Sequence, residues 1–347
     1  MKTAVVVCPG RGVYNRTELG YLAAHHGTGR EMFDRFDAQR STAGQETLQA
    51  LDGAATFAPA RHTRGDNASA LIFAASLADF QAIDRARIQV VAVTGNSMGW
   101  YSALACAGAL SPENGFHLAN RMGTLMQHHL IGGQIIYPVM DETWRPNPAR
   151  KAEILGWVAE IDAQPNCVLR LSIDLGGMLV LAGDAPGLAA FEQRAESLQG
   201  RFPMRLANHA AFHTDLQAPV AQAGRAELPA SLFTSPGLPL IDGRGVIWSP
   251  HATNIDALYG YTLGHQVVEP YDFTHAIRVA AREFAPDIFI VTGPGTTLGG
   301  ATAQSLILSG WRGLTSRQDF EAMQAQAPGL VSLGRPDQRD LAISASP

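Results

Sequence analysis

Cysteine is scarce in this 347-residue chain: Cys8, Cys106 and Cys167 are the only three, scattered and odd in number. That excludes a disulfide framework and points to a reducing compartment. No Cys-x-x-Cys pair occurs, and no metal site is expected. Charge is also sparse, with 16% Asp, Glu, Lys and Arg and a formal net charge of -5. With no basic run to follow a phosphate backbone, nucleic acid is excluded as the main partner. No apolar run approaches the ~20 residues needed to cross a bilayer, which excludes a membrane partner of that kind. The first apolar stretch, Ala4 to Val7, meets Pro9-Gly10 at once and reads as a strand rather than a secretory segment. Repeats and low-complexity linkers are missing too. What remains is a globular chain, 46% hydrophobic, expected in the cytoplasm.

Short apolar strands alternate with longer helical patterns, which predicts an α/β fold with a largely parallel sheet. "TAVVVCPG" (3–10), "IQVVAVTG" (88–95) and "PDIFIVTGPG" (286–295) read as buried strands running into turns. Helical spacing follows in "ASALIFAASLADFQAI" (68–83), "GWYSALACAGAL" (99–110) and "ATAQSLILSG" (301–310). The middle differs. Strand 133–141, helix 149–163, strands 167–175 and 178–184 joined through Gly176-Gly177, helix 187–198 and strand 201–208 give the order β-α-β-β-α-β. That is the order of a ferredoxin-like α+β unit. The expected division is a large discontinuous domain over 1–131 and 207–327, a small subdomain over 132–206, and a weakly patterned tail over 328–347. Residues 228–250 read as a loop, and a cleft between the two units is the expected ligand site.

One short stretch carries chemistry. Gly95-Asn96-Ser97-Met98-Gly99 lies between a strand and a helix. A serine on such a corner projects its Oγ above the sheet edge, and the next N–H can face an oxyanion. The bland alternative is a turn that happens to contain serine. A serine nucleophile needs a base, and of eleven histidines the pairs His25/His26 and His128/His129 read as solvated. His209 and His213, in "ANHAAFHTDLQAPV" (207–220), fall where the chain re-enters the large domain, and spacing leaves both open. Arg121 lies on a helix begun by Ser111-Pro112-Glu113; such an arginine more commonly snorkels or pairs with an acid, and the alternative is a clamp for a substrate carboxylate.

Together these segments resemble the malonyl-CoA:acyl carrier protein transacylase family, which includes the acyltransferase domains of fatty acid and polyketide synthases. The resemblance runs from Cys8 to about Ser309, and "GNSMGWYSALACAGALSPENGFHLANRMGTLMQ" is its most specific part. "AFHTDLQAP", "HQVVEP", "GPGTTLGG" and "PGRG" are similar to further family segments. The resemblance implies an α/β-hydrolase-like core with a parallel sheet, carrying an inserted ferredoxin-like α+β subdomain. It implies a ping-pong transfer in which Ser97 attacks malonyl-CoA and His213, not His209, is the base. It also implies an oxyanion hole from the backbone N–H groups of Met98 and Arg11, a carboxylate clamp at Arg121, and Gln266 beside the histidine as a substrate-binding residue. No cofactor is held tightly: the coenzyme A thioester is a substrate, and phosphopantetheine arrives on the partner acyl carrier protein.

The chain departs from the family pattern at Asn96 and Trp100 around the serine, at Arg11 where glutamine is typical, in the segment after Arg11, and at Ala68. Other readings are a thioesterase, a transacylase for another acyl-CoA, or a carrier-binding module that has lost catalysis. Arg145, Arg150, Lys151, Arg201 and Arg205 are candidates for docking an acidic carrier protein, with a solvated face as the alternative.

Overall fold

In the computed structural model, which describes residues 1–27 and 30–343, two sheets flank a deep cavity. The strands in chain order are β1 (Lys2–Cys8), β2 (Ile88–Gly95), β3 (Gly133–Pro138), β4 (Leu169–Leu175), β5 (Met178–Gly183), β6 (Met204–Arg205), β7 (Leu240–Ile241), β8 (Ile247–Trp248), β9 (Tyr271–Asp272), β10 (Ile288–Val291) and β11 (Leu330–Ser332). The large sheet has the order β11-β10-β1-β2-β7-β8, parallel except for the edge pair β7/β8. Over Ala4–Cys8 the central strand β1 is apolar at every step and wholly buried, because helices cover both faces.

Helix Gly65–Ala82 runs through the core with Gly65 and every residue from Asn67 to Phe80 buried. Its alanines and serines let neighbouring helices approach closely. Phe73 from this helix meets Phe36 and Phe116 in an aromatic cluster, with Phe36 and Phe116 stacked at 4.2 Å. Helix Pro112–His128 is capped as its sequence indicates, Ser111 accepting from the Asn114 N–H at 3.1 Å.

The small sheet has the order β6-β3-β5-β4-β9. Its β3, β4, β5 and β6 pair antiparallel, and β9 joins β4 in parallel. Period-2 alternation gives the sheet two distinct faces. Ile135 and Tyr137 pack with Ile154, Val158 and Phe191 of helices Pro148–Asp162 and Ala185–Arg194. Gln134, Ile136 and Pro138 line the cavity instead.

Several expectations need correction. The tail is not weakly structured: β11 pairs β10, Leu333 and Ala342 are fully buried, and Ile343 bridges Ile83. Residues 344–347 lie outside the described residues. The 228–250 loop contains the β7–β8 hairpin that closes one edge of the large sheet. Strand 201–208 shrinks to Met204–Arg205, since Pro203 has no N–H to give a ladder. The small sheet also recruits β9 from outside 132–206. His26 is not solvated: its Nε2 sits 2.8 Å from Asp79, a buried carboxylate also bonded by Tyr21, Arg339 and the Gly293 N–H.

Candidate active site

The serine corner is built by close backbone approach. After β2 the Asn96 N–H donates to the Cys8 carbonyl at 2.9 Å, tying the end of β2 to the end of β1. A side chain at Gly99 would land on that same Cys8 carbonyl, so only glycine lets helix Gly99–Cys106 start here. Ser97 itself is held at φ 55°, in the left-handed region a non-glycine residue avoids. Its Oγ lies at the N-terminal end of that helix, where unpaired N–H groups favour developing negative charge.

His213 meets it from the far side of the chain, also at positive φ, 58°. Ser97 Oγ is 2.7 Å from His213 Nε2, and His213 Nδ1 is 2.7 Å from the Gln266 carbonyl oxygen. A carbonyl can only accept, so Nδ1 carries the proton and Nε2 is the free base that accepts from the serine hydroxyl. Burial lowers the His213 pKa to about 4, against the bond to Gln266, which raises it. The imidazole is therefore neutral near pH 7. Gln266 also donates its side-chain N–H to the Ser97 carbonyl at 3.1 Å and accepts from Tyr101 Oη at 3.1 Å. Tyr271 Oη donates to the Gly95 carbonyl at 2.6 Å, bracing the strand end below.

These groups form the floor of a cavity of about 980 Å³ whose wall is the inner face of the small sheet. The backbone N–H groups of Met98 and Arg11, the two expected at the oxyanion, have no backbone partner among the described residues. Arg11 lies close to the serine, because a Cβ on its neighbour Gly10 would sit 3.4 Å from Ser97 Cβ. Such an arrangement can activate a hydroxyl, receive an oxyanion and shuttle one proton, which is the minimum set for acyl transfer. Among the described residues no group of three His, Cys, Asp or Glu side chains could hold a metal, and no described helix is long and apolar enough to cross a membrane.

Curated proteins similar to the chain include the malonyl CoA-acyl carrier protein transacylase of Bacillus subtilis, 23% identical over 286 residues covering 79% of this chain and 84% of that protein. The Escherichia coli K12 protein of the same name is 24% identical over 213 residues, covering 60% of this chain and 64% of that protein. Among solved structures, the acyl-carrier-protein S-malonyltransferase of Burkholderia pseudomallei matches with a TM-score of 0.74 at 21% identity, covering 98% of this chain and 99% of that one. The chain has their fold. A malonyl-transacylase solved with a type II polyketide acyl-carrier protein matches with a TM-score of 0.72 at 18% identity, over 99% of each chain. No protein-family model matches.

Two expectations about the site change. Arg121 does not face the cavity. It belongs to the polar stripe His117, Arg121, Thr124, His128 at helical spacing, and it pairs with Glu227, Nη2 to Oε1 at 2.7 Å, in a partly exposed ion pair. That hydrogen bond raises its pKa further. The inward position belongs to Met122, wholly buried and one turn before Met126, which lines the cavity. Gln266 does line the cavity, but its side chain is engaged with Ser97 and Tyr101, so it braces the relay rather than waiting for a ligand. His209, the other histidine in the segment, gives Nδ1–H to Gln134 Oε1 at 2.8 Å; burial and the nearby Arg11 hold its pKa well below the ordinary value.

The departures sort by direction. Trp100 points away from the cavity and donates to Thr262 Oγ1 at 3.0 Å in the core. Asn96 and Ala68 line the cavity, and Asn96 Oδ1 is buried without a partner among the described residues. Of the candidate docking cations, Arg201 and Arg205 lie at the cavity, Arg205 paired with Glu192, and Arg150 and Lys151 pair with Glu153 and Asp174. Sequence reading missed Tyr101, although its place four residues after Ser97 at the start of a helix signals a shared face.

Proposed function

We propose that the chain is a Ser-His acyltransferase that moves a malonyl group from malonyl-CoA to the phosphopantetheine thiol of an acyl carrier protein. The observation that carries this reading is the unbroken relay from Ser97 Oγ through the His213 ring to the Gln266 carbonyl, at the floor of a cavity large enough for a pantetheine arm.

Ser97 Oγ attacks the thioester carbonyl carbon as its proton passes to His213 Nε2. The carbonyl electron pair moves onto oxygen, which the N–H groups of Met98 and Arg11 receive. The tetrahedral adduct collapses, the C–S bond breaks, and the imidazolium returns the proton to the departing coenzyme A sulfur. In the second half the carrier thiol gives its proton to His213 and its sulfur attacks the acyl-serine carbonyl; the C–O bond to Ser97 then breaks and the imidazolium returns the proton to Ser97 Oγ. The Gln266 carbonyl stabilises the imidazolium in both halves, so the relay needs no carboxylate.

The serine corner after β2 supports an α/β-hydrolase-like core over 1–131 and 207–327, extended by β11. The order β6-β3-β5-β4, with two helices on one face, supports a ferredoxin-like subdomain over 132–206. Coenzyme A enters as a substrate rather than a resident cofactor. The three free cysteines agree with a cytoplasmic setting.

The test is exposure to malonyl-CoA followed by peptide mass spectrometry. A malonyl adduct on Ser97 that disappears when holo carrier protein is added is the expected result, and Ser97→Ala should show none. No adduct with any acyl-CoA overturns the reading. Release of free malonate without carrier protein replaces it with a thioesterase.

A further inference from the structure

Among the polar groups that line the cavity outside this relay is the side chain of Arg11. A guanidinium has five N–H donors. Nη2 donates to the Thr63 carbonyl at 3.1 Å and to the Asn208 carbonyl at 2.9 Å, which engages two of them. Nε and Nη1 are buried and have no hydrogen-bond partner among the described residues. Three N–H groups are thus withdrawn from water without an acceptor, an arrangement that is costly unless a ligand completes it.

The surroundings hold this side chain ready. Asn208 Nδ2 donates to Thr63 Oγ1 at 2.7 Å, so both carbonyl anchors of Arg11 are themselves tied together. The Phe212 ring lies 5.5 Å from its Cζ. Among the described residues no acid pairs with it: Asp66, the carboxylate whose charge it feels, is held by Arg64 Nε and Nη2 at 3.1 Å each. Burial lowers the Arg11 pKa to about 10, which still leaves it charged at neutral pH.

We propose that Arg11 is the carboxylate receptor of the acyl pocket, making the site selective for acyl groups that carry a free carboxylate. This rests on the acyltransferase reading above. The ligand is taken as the acyl carboxylate rather than a coenzyme A phosphate because the Arg11 backbone adjoins the nucleophile through Gly10, which stands against Ser97, and because Arg11 lines the same cavity. In a malonyl thioester the carboxylate lies one methylene from the reacting carbonyl. One residue then serves both ends of the acyl group, its backbone N–H facing the oxyanion and its guanidinium the carboxylate. The helix Pro112–His128 offers no substitute, since Arg121 is outside and Met122 inside.

The experiment compares wild type, Arg11→Gln and Arg11→Lys, with Ser97 acylation by malonyl-CoA and by acetyl-CoA measured in single turnovers. The backbone N–H survives both substitutions. Arg11→Gln should lower the malonyl-to-acetyl rate ratio about 100-fold, the scale of losing one partner of a buried charge pair, with Arg11→Lys in between. In parallel, free malonate should raise the melting temperature of wild type but not of Arg11→Gln, and propionate should raise neither. An equal fall for both acyl groups, or wild type preferring acetyl, overturns the receptor. Wild type inert toward every acyl-CoA, with the malonate shift still lost in Arg11→Gln, overturns the acyltransferase reading and keeps the receptor. Should Arg11→Gln not fold, Arg11→Lys decides, because an unchanged ratio and an unchanged malonate shift in that variant would count against a guanidinium-specific site.

Discussion

At the floor of the cavity the relay atoms are all occupied: Ser97 Oγ on His213, His213 on the Gln266 carbonyl, and the Gln266 side chain on Tyr101 and Ser97. At its flank, Arg11 keeps Nε and Nη1 without partners. The contrast separates two tasks. Groups that must move a proton along one line are fixed by the protein before any ligand arrives, whereas a group that recognises a ligand has to keep donors free for it. By that rule Arg121, fully answered by Glu227 at the surface, is not a receptor, and Arg11 is.

The largest effect should come from breaking the floor. Ser97→Ala removes the atom that carries the acyl group, and His213→Ala removes the base. Each should lower transfer to carrier protein by about 10³-fold or more, as for other nucleophile–base pairs that act as a unit. Because the two act together, the double variant should lose little beyond either single one, which a double-mutant cycle on kcat/KM would measure.

Acid probes the same pair without mutation. Only neutral His213 can accept the serine proton, so acylation should be flat around neutrality and fall about tenfold per unit below its folded pKa of about 4. Stability follows with a definite sign. The folded value lies below the ordinary 6.5, so between 6.5 and about 4 the unfolded chain binds the extra proton. Stability is thus lost as pH falls through that window, and His213→Gln should shallow the dependence seen in pH-dependent melting.

Where sequence and structure agree, the residues share a strong local signal. β2 and the corner Gly95–Gly99 were legible because an apolar run, a small-residue turn and a helix start follow one another without a gap. The choice between His209 and His213 was not legible from spacing, since both follow the same strand and only the contact to Ser97 separates them. The hairpin β7–β8 and strand β9 escaped because two-residue strands have no periodicity to read. His26 looked solvated because its partner Asp79 is 53 residues away. Arg11 could be read only as a departure from a glutamine, because its distinguishing feature is that Nη2 is anchored on the Thr63 and Asn208 carbonyls while Nε and Nη1 find no acceptor among the described residues, a property of three separate chain segments.

A smaller effect should follow from loosening the floor without cutting it. Tyr101→Phe deletes the bond to Gln266 Oε1 and leaves the relay atoms in place. Tyr101 stays protonated because burial raises its pKa, so the lost bond is a neutral one of about 1 kcal/mol. The expected loss is about fivefold in kcat with KM little changed, since Gln266 positions the histidine rather than the substrate. A loss confined to KM would instead place Gln266 on the ligand.

The smallest effect sharpens the comparison most. Arg121→Ala removes a cation from the stripe His117, Arg121, Thr124, His128, on the outer side of helix Pro112–His128. The pair it breaks is partly exposed, with both side chains more than a third accessible or nearly so, and such pairs contribute about 0–1 kcal/mol. The malonyl-to-acetyl rate ratio should therefore stay within about threefold of wild type, in contrast to the Arg11 variants. Were the ratio to collapse in Arg121→Ala and persist in Arg11→Gln, selectivity would arise from the outer face of the helix, and the cavity would have to open toward Glu227 when substrate binds.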